Sequence, residues 1–338
     1  MKSVIVQLVT FNGEKYIPYL FESLRKQKFV DWELWVFDNA SSDRTVELIR
    51  EELKTLNRPH RLIESKTNIG FAPGHNKLFT ESMDQSLYIM LLNQDMMLDS
   101  SFIDTLFYFA EAHPDAGAVS GRLMKWAFPE KTNIVDSIGL KAFKNHRVID
   151  RAGGETWRDV DDDVNAKEVF GVSGALPMYR VIALREVAFE GQIFDEDFFM
   201  YKEDVDLAWR LKSTGWCAFS VFDAIAFHDR SASGPPNLSD RAAAKNRKNK
   251  SAAANKYSYR NHILMLIKNY AGEGGVRGFL MTVWYEFKKS AYFLLTSPTL
   301  FVKSWGDVLR LLRRTLKKRA AMQKVRSVSQ KEMNQWFV

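Results

Sequence analysis

A doubly wound, mostly parallel α/β sheet followed by a basic helical extension is the fold class predicted here, on three observations. Short apolar runs alternate with helix-period segments through about residue 112, the pattern of a parallel sheet with crossover helices. Polar residues collect just after those runs, at the strand ends where such sheets bind ligands. The charge is also divided along the chain. Residues 1–240 hold 27 Lys and Arg against 37 Asp and Glu, whereas residues 241–338 hold 21 against 4.

Taken in order, the periodicity predicts strands over 3–9, 33–37, 61–64 and 87–92, with helices over 16–27, 43–56, 72–85 and 102–112. Strand-like pieces follow at 116–120 and 134–138, then an acidic loop at 159–163 and further strands at 217–222 and 224–227. Residues 231–239 read as a loop. The basic run 241–250 reads either as a solvated face or as a segment closing over an anionic substrate.

The composition is that of a globular chain of one large domain or two: 338 residues, 46% hydrophobic and 26% charged. The lone Cys217 excludes an intrachain disulfide and reads as a small core residue. The apolar run 4–9 is short and broken by Gln7, so it does not read as a signal peptide. No uninterrupted apolar stretch is long enough to predict a transmembrane helix.

Four loops make up the rim of the predicted sheet: Thr10-Phe11-Asn12-Gly13, Asp38 to Asp43, Asn68 to Asn76, and Asn93-Gln94-Asp95. Each alone is a turn or a cap; four in succession make a nucleotide-sized crevice the better reading. Neither a dinucleotide G-x-G-x-x-G nor a P-loop is present. Gly70 and Gly74 would let backbone approach a phosphate, Asp38 would accept hydrogen bonds from a base or ribose, and Asp95 suits a hard divalent cation bridging phosphates. His228 closes a strand and reads as a metal ligand.

Opposite these loops runs the acidic stretch 194–216. Asp204, Leu207, Ala208 and Leu211 share one helix face, which is expected to pack inward, and Gly215 is placed to end the helix. Asp204 then lies in the first turn, favoured by the helix dipole. Asp206 points elsewhere and is spaced to pair with Arg210. On their own these acids read as N-terminal caps; facing four polar loops, Asp204 becomes a candidate for chemistry.

VTFNG, VFDNASSD, TNIGFAPGHN, LLNQDMML, FDEDFFMYKEDVDLAWRLKSTGW and the histidine of FHDRSAS occur in that order from about residue 3 to 270. The ordered set resembles the inverting family 2 glycosyltransferases of GT-A fold, and within them the bacterial rhamnosyltransferase-like branch. The resemblance implies that Asp204 is the general base, deprotonating an acceptor hydroxyl that displaces a nucleoside diphosphate with inversion. It implies donor binding by Thr10, Asn12, Asp38, Asn68, Gly70, Asn76 and Gly174, and acceptor or orienting roles for Glu203 and Asp206. It implies a divalent cation, Mg2+ or Mn2+, at Asp95 and His228. The position that commonly reads Asn-Pro-Asp is Asn93-Gln94-Asp95 here, leaving one carboxylate, so a metal-independent variant stays open.

The resemblance further implies dTDP-rhamnose as donor, a cell-surface glycan or lipid-linked acceptor, and a location at the inner face of the bacterial cytoplasmic membrane. Residues 1–254 are expected to form the catalytic domain, with a nucleotide half over about 1–115 and an acceptor half over about 116–254. Residues 255–338 are expected to form a basic amphipathic helical tail, with helices over 257–270, 278–295 and 300–319. Interleaved Trp, Phe, Lys and Arg there suit an anionic membrane interface. Helices packed on the body, or a dimer surface, are the other readings. No nucleic-acid signature accompanies the charge. A UDP-hexose or galactofuranosyl donor, or a nucleotide-sugar-binding or membrane scaffold protein without turnover, are the rival functions.

Overall fold

The computed structural model describes residues 1–159, 164–230 and 240–338; the acidic loop after 159 and the loop 231–239 lie outside the described residues. Strand and helix alternate as the periodicity predicts: β1 (Lys2–Thr10), α1 (Ile17–Arg25), β2 (Trp32–Asp38), α2 (Thr45–Leu53), β3 (His60–Glu64), α3 (Phe71–Ser82) and β4 (Ser86–Asn93). A short β5 (Met96–Leu98) and α4 (Phe102–Ala112) follow. β1 pairs in parallel with β2 on one side and β4 on the other, and β2 with β3. The chain therefore changes its direction of growth between β1 and β4. Their C-terminal ends, at Thr10 and Asn93, flank the crevice that such a switch point opens.

The second half completes the sheet with β6 (Ala116–Ala127), β7 (Glu130–Ser137), β8 (Leu140–Ala142), β9 (Val148–Asp150), β10 (Ala166–Glu168) and β11 (Pro177–Arg180). After these come α5 (Val181–Glu186), α6 (Glu203–Ser213) and β12 (Cys217–His228). β11 inserts antiparallel between β4 and β6, and β12 lies parallel to β6. Where two strands were expected over 217–227, β12 runs through as one, with a register shift against β6 between Val221 and Ile225. Gly121 makes room for that bulge, since a Cβ there would stand 2.2 Å from the Ala224 carbonyl oxygen.

β1 is buried on both faces through Val4, Ile5, Val6 and Leu8, and α1 covers it with Ile17, Leu20, Phe21 and Leu24 at three- and four-residue spacing. Gln7, which interrupts the run, is fully buried and satisfied: its Nε2 donates to Ser82 Oγ at 2.8 Å and its Oε1 lies 3.1 Å from His75 Nδ1.

The chain ends in helices: α7 (Asp240–Lys248), α8 (Ala252–Asn269), α9 (Gly275–Thr296), α10 (Pro298–Val325) and α11 (Gln330–Asn334). They are not a free appendage. One apolar cluster joins Leu140, Phe170, Val205 and Trp209 of the body to Tyr259, Leu264, Phe293, Val308 and Phe337 of the extension. α6 is consequently buried on nearly every side rather than along one stripe; the second face is covered by α8. The charge division has a matching explanation. Lys268 pairs with Asp195 at 2.6 Å and Asp206 at 2.8 Å, Lys318 pairs with Asp195 and, at 2.6 Å, with Asp197, and Arg314 with Asp197 at 2.9 Å. Part of what the basic extension meets is the acidic body itself.

Candidate active site

A cleft of about 850 Å³ opens between the strand ends and the helical extension, lined by Asn93, Asp95, Asp136, Asp150, Ser173, Gly174, Glu203, Asp204, His228 and Arg230 among others. Of the residues singled out in the sequence, Asp95, Gly174, Glu203, Asp204 and His228 meet there.

Asp204 sits at the second position of α6, half-buried and facing the cleft. Its Oδ1 accepts from the Val205 N–H at 2.8 Å and its Oδ2 from the Gly174 N–H at 3.2 Å. Gly174 touches the carboxylate closely: a Cβ there would stand 3.1 Å from Asp204 Cβ. Two backbone donors and the positive end of α6 thus hold one carboxylate in one orientation. The acids are not caps in the side-chain sense, because the N-cap is Lys202 and makes no side-chain cap hydrogen bond.

The loop that launches α6 is strained. Phe199, Tyr201 and Lys202 all have positive φ, at 62°, 68° and 75°, which costs a non-glycine residue on the order of 1–3 kcal/mol. α8 holds it in place. Asn261 Nδ2 donates to the carbonyls of Phe198, Met200 and Tyr201 at 2.8–2.9 Å, and Arg260 reaches the carbonyls of Asp197 and Phe198.

Beside Asp204, burial and the neighbouring carboxylate push the Glu203 carboxyl up to about 8, and its Oε2 has no hydrogen-bond partner. Glu203 therefore faces the cleft as a neutral acid near pH 7. Asp206 does not join it. Fully buried, it pairs with Arg210 at 3.0 Å and Lys268, and accepts from Asn269 at 2.7 Å. Of the acceptor or orienting role that the resemblance implied for Asp206, the geometry leaves the orienting one: Asp206 is not among the cleft-lining residues and is turned to Arg210, as its spacing had indicated.

Across the cleft, His228 stands between two carboxylates, its Nε2 3.3 Å from Asp95 Oδ1 and its Nδ1 2.9 Å from Asp136 Oδ2. Burial opposes its protonation, but Asp95 and Asp136 outweigh burial and raise the imidazole to about 9. Arg230 extends the line, 2.6 Å from Asp150 and 3.8 Å from Asp136. The three groups lie in a row, and among the described residues no three His, Cys, Asp or Glu side chains converge on one point. Asp95 and His228 are the pair that would face a cation, with Asp136 orienting the imidazole from behind. Asp136, Asp150, Arg230, Lys202 and Asn261 went unremarked in the sequence, although Arg230 lies inside the FHDRSAS segment and Lys202 inside the acidic stretch 194–216.

The donor-side residues form a network among themselves. Thr10 Oγ1 donates to Asp38 Oδ1 at 3.0 Å, and Asp38 also accepts from the backbone and hydroxyl of Ser41. Asn12, exposed and at φ 48°, accepts from the Ser42 N–H at 2.8 Å. Gln94, the residue at the usual proline position, pairs its amide with both backbone groups of Phe11 at 2.9 and 3.0 Å and so clamps the first and fourth loops together.

The third loop is tied into the fold. Asn68 accepts from the Gly70 N–H at 2.9 Å. Gly70, at φ 97°, abuts Phe199, whose ring would lie 2.5 Å from an added Cβ, so its smallness serves packing on the strained loop. Asn76 is buried with its amide engaged by Ile193, Phe194 and Glu196. Asn68, Gly70 and Asn76 are not among the residues that line the cleft, and neither are Thr10, Asn12 and Asp38; the packing of Gly70 and the bonds of Asn76 tie the third loop to the segment before α6.

The family model of glycosyl transferase family 2 matches residues 3–186, more than half of the chain. The chain belongs to that family, has the GT-A fold, and is a glycosyltransferase. It is 27% identical over 120 residues to the teichoic acid poly(glycerol phosphate) polymerase of Staphylococcus epidermidis, an alignment covering 36% of this chain and 16% of that one. It is also 24% identical over 240 residues to the N-acetylglucosaminyl-diphospho-decaprenol L-rhamnosyltransferase of Mycobacterium tuberculosis, covering 67% and 75%. The chain therefore spans less than a fifth of the length of the staphylococcal relative. In structure it resembles residues 1–349 of S. aureus TarS in complex with UDP, with a TM-score of 0.54 and 15% identity over 98% of this chain and 88% of the other.

Proposed function

We propose that this glycosyltransferase moves a sugar, with inversion, from a nucleoside-diphosphate donor to a hydroxyl of a cell-surface glycan or lipid-linked acceptor. The observation that carries the reading is the placement of Asp204: a carboxylate fixed by Gly174 on a rigid helix, facing Asp95 and His228 across one cleft. In this reading Asp204 takes the acceptor proton as the hydroxyl attacks the anomeric carbon, and the glycosidic bond to the diphosphate breaks on the opposite face. Glu203 donates a hydrogen bond to a hydroxyl of the bound sugar. Thr10, Asn12 and Asp38, with Ser41, hold the loops against the nucleoside.

The leaving diphosphate lies at Asp95 and His228. The Asp95 carboxylate would hold Mg2+ or Mn2+, which bind through few protein ligands together with substrate phosphates, and the His228 imidazole would join it toward Mn2+ only in its neutral form. When bound, such a cation supplies positive charge for the departing diphosphate. His228 also faces that charge directly when protonated. The favoured donor is dTDP-rhamnose, supported by the likeness to the mycobacterial rhamnosyltransferase over two thirds of the chain.

A thermal-shift screen of dTDP-, UDP- and GDP-sugars tests the donor. The expected result is stabilisation by dTDP-rhamnose above the others; a response confined to GDP-sugars would sink the rhamnose reading.

The outer faces of α9 and α10 carry Val276, Phe279, Leu280, Val283, Trp284, Phe287, Val302 and Leu309, all exposed. That apolar stripe among lysines and arginines supports peripheral contact with the inner face of an anionic membrane. Among the described residues no helix is long and apolar enough to cross one.

A further inference from the structure

The helical wall of the cleft has a charge that the transfer reaction as derived above does not use. Lys202, Arg247 and Lys250 line the same cleft as Asp204. Two other cations of the lining are already matched: Arg230 by Asp150 at 2.6 Å and Lys289 by Glu286 at 2.8 Å. Lys202, Arg247 and Lys250 have no carboxylate at ion-pair distance among the described residues. Lys202 and Arg247 both lie near enough to Lys250 for their charges to act on it. Burial, together with the charges of Lys202, Arg230 and Arg247 and against that of Asp150, pushes Lys250 below the ordinary lysine value, and burial does the same to Lys202 against the nearby Asp204 carboxylate. The Arg247 guanidinium lies over the Tyr292 and Phe293 rings, 5.2 and 5.6 Å from their centroids, which fixes its plane.

Like charges gathered in a partly desolvated cleft repel one another and destabilise the empty protein. They are relieved by an anion with several acceptor oxygens, and a phosphoryl group suits a mixed Lys and Arg set. The set stands on other elements than the donor-side pair. Lys202 immediately precedes Glu203 and Asp204 at the head of α6, and Arg247 and Lys250 come from α7 and the segment that follows it, whereas Asp95 and His228 stand on strand ends.

We infer that Lys202, Arg247 and Lys250 form a second phosphate subsite, which binds a phosphoryl or diphosphoryl group carried by the acceptor while the donor diphosphate lies at Asp95 and His228. The inference rests on Asp204 marking the acceptor side, as proposed above. The phosphate has two possible sources: a lipid headgroup or a soluble phosphoester. α9 connects the subsite to the first of these, since Tyr285, Lys289 and Phe293 line the cleft while Phe279, Leu280, Val283, Trp284 and Phe287 lie exposed on the same helix.

The test uses the full chain saturated with whichever of dTDP, UDP or GDP stabilises it most. Glycerol phosphate is then titrated by calorimetry, and phosphatidylcholine vesicles containing phosphatidic acid are titrated by flotation. Glycerol phosphate is expected to bind alongside the nucleotide. The Lys202→Gln, Lys250→Gln double variant should weaken it by at least about tenfold, the loss of a charge-assisted contact, with nucleotide affinity changed by less than about twofold. Arg247→Gln, a milder change, should weaken it in the same sense.

Retained nucleotide binding shows that the variants are folded and keeps this inference separable from the donor reading. Nucleotide that excludes glycerol phosphate, nucleotide affinity falling in step with it, or phosphate binding unaltered in both variants would each overturn the subsite. Vesicle binding that glycerol phosphate displaces supports it with the lipid headgroup as source, and binding of the soluble ester alone supports it with a soluble phosphoester as source.

Discussion

At the scale of single residues, the position of Asp204 depends on small numbers of contacts. Its two oxygens are held by the N–H groups of Val205 and Gly174, so an amide in its place keeps the shape but cannot accept a proton. Asp204→Asn is expected to lower kcat by about a hundred- to ten-thousand-fold while leaving nucleotide affinity unchanged, measured by steady-state transfer and by nucleotide titration. Unaltered transfer would remove Asp204 as the base. The helix periodicity placed Asp204 in a first turn and paired Asp206 with Arg210, and both features are present. Glu203 was harder to read. Its neutral form near pH 7 depends on burial and on the nearness of Asp204, and the burial is not visible in a string of acids.

At the scale of elements, the catalytic helix is not self-sufficient. Phe199, Tyr201 and Lys202 adopt left-handed backbone without glycine, and Asn261 on α8 is the clamp that holds the turn. Removing the amide leaves three carbonyls without that donor, at a cost of about 1–3 kcal/mol. Asn261→Ala is therefore expected to lower kcat by up to about a hundredfold through misplacement of Asp204, with nucleotide affinity kept; a change in nucleotide affinity alone would contradict the clamp.

Most elements of the nucleotide half were legible because they bury their own periodic faces, as α4 (Phe102–Ala112) shows by falling on its expected bounds. The two strands read over 217–227 were correct in kind, but their continuity as β12 was not legible, because a bulge opposite Gly121 leaves no mark in the periodicity of its own residues.

At the scale of the whole molecule, the extension is bound to the body by buried charge. Burial opposes ionisation of Asp195, but Lys268 and Lys318 outweigh it and hold its carboxyl below the ordinary 3.8. A depressed carboxylate contributes stability that is complete above its unfolded value and lost as pH falls through its folded value. Asp195→Asn should therefore lower stability at neutral pH by about 3–5 kcal/mol and flatten the loss of stability below about pH 4, both read from denaturant unfolding across pH. An unchanged acid limb would show that the network does not titrate as described.

Because α8, α9 and α10 share a core with the body, ending the chain near residue 270 would expose that core and could not isolate membrane binding. Point changes do so. Trp284→Glu with Phe287→Glu is expected to weaken flotation with anionic vesicles by roughly a hundredfold, the loss of at least about 3 kcal/mol of apolar burial. Undiminished flotation would leave those helices with another role.

What the sequence determined by itself was local and periodic: the alternation of strands and helices, the polar rim at their ends, and the first-turn place of Asp204. These follow from side-chain spacing, which a chain carries before it folds. Only the tertiary structure decided where the two charge populations meet. Asp206, Asp195 and Asp197 turned inward to Lys268, Lys318 and Arg314, while Asp95, Asp136 and Asp204 were left facing one cleft. Coulomb attraction and desolvation act through space, between residues far apart along the chain, and no spacing rule records which of many acids a distant lysine will reach.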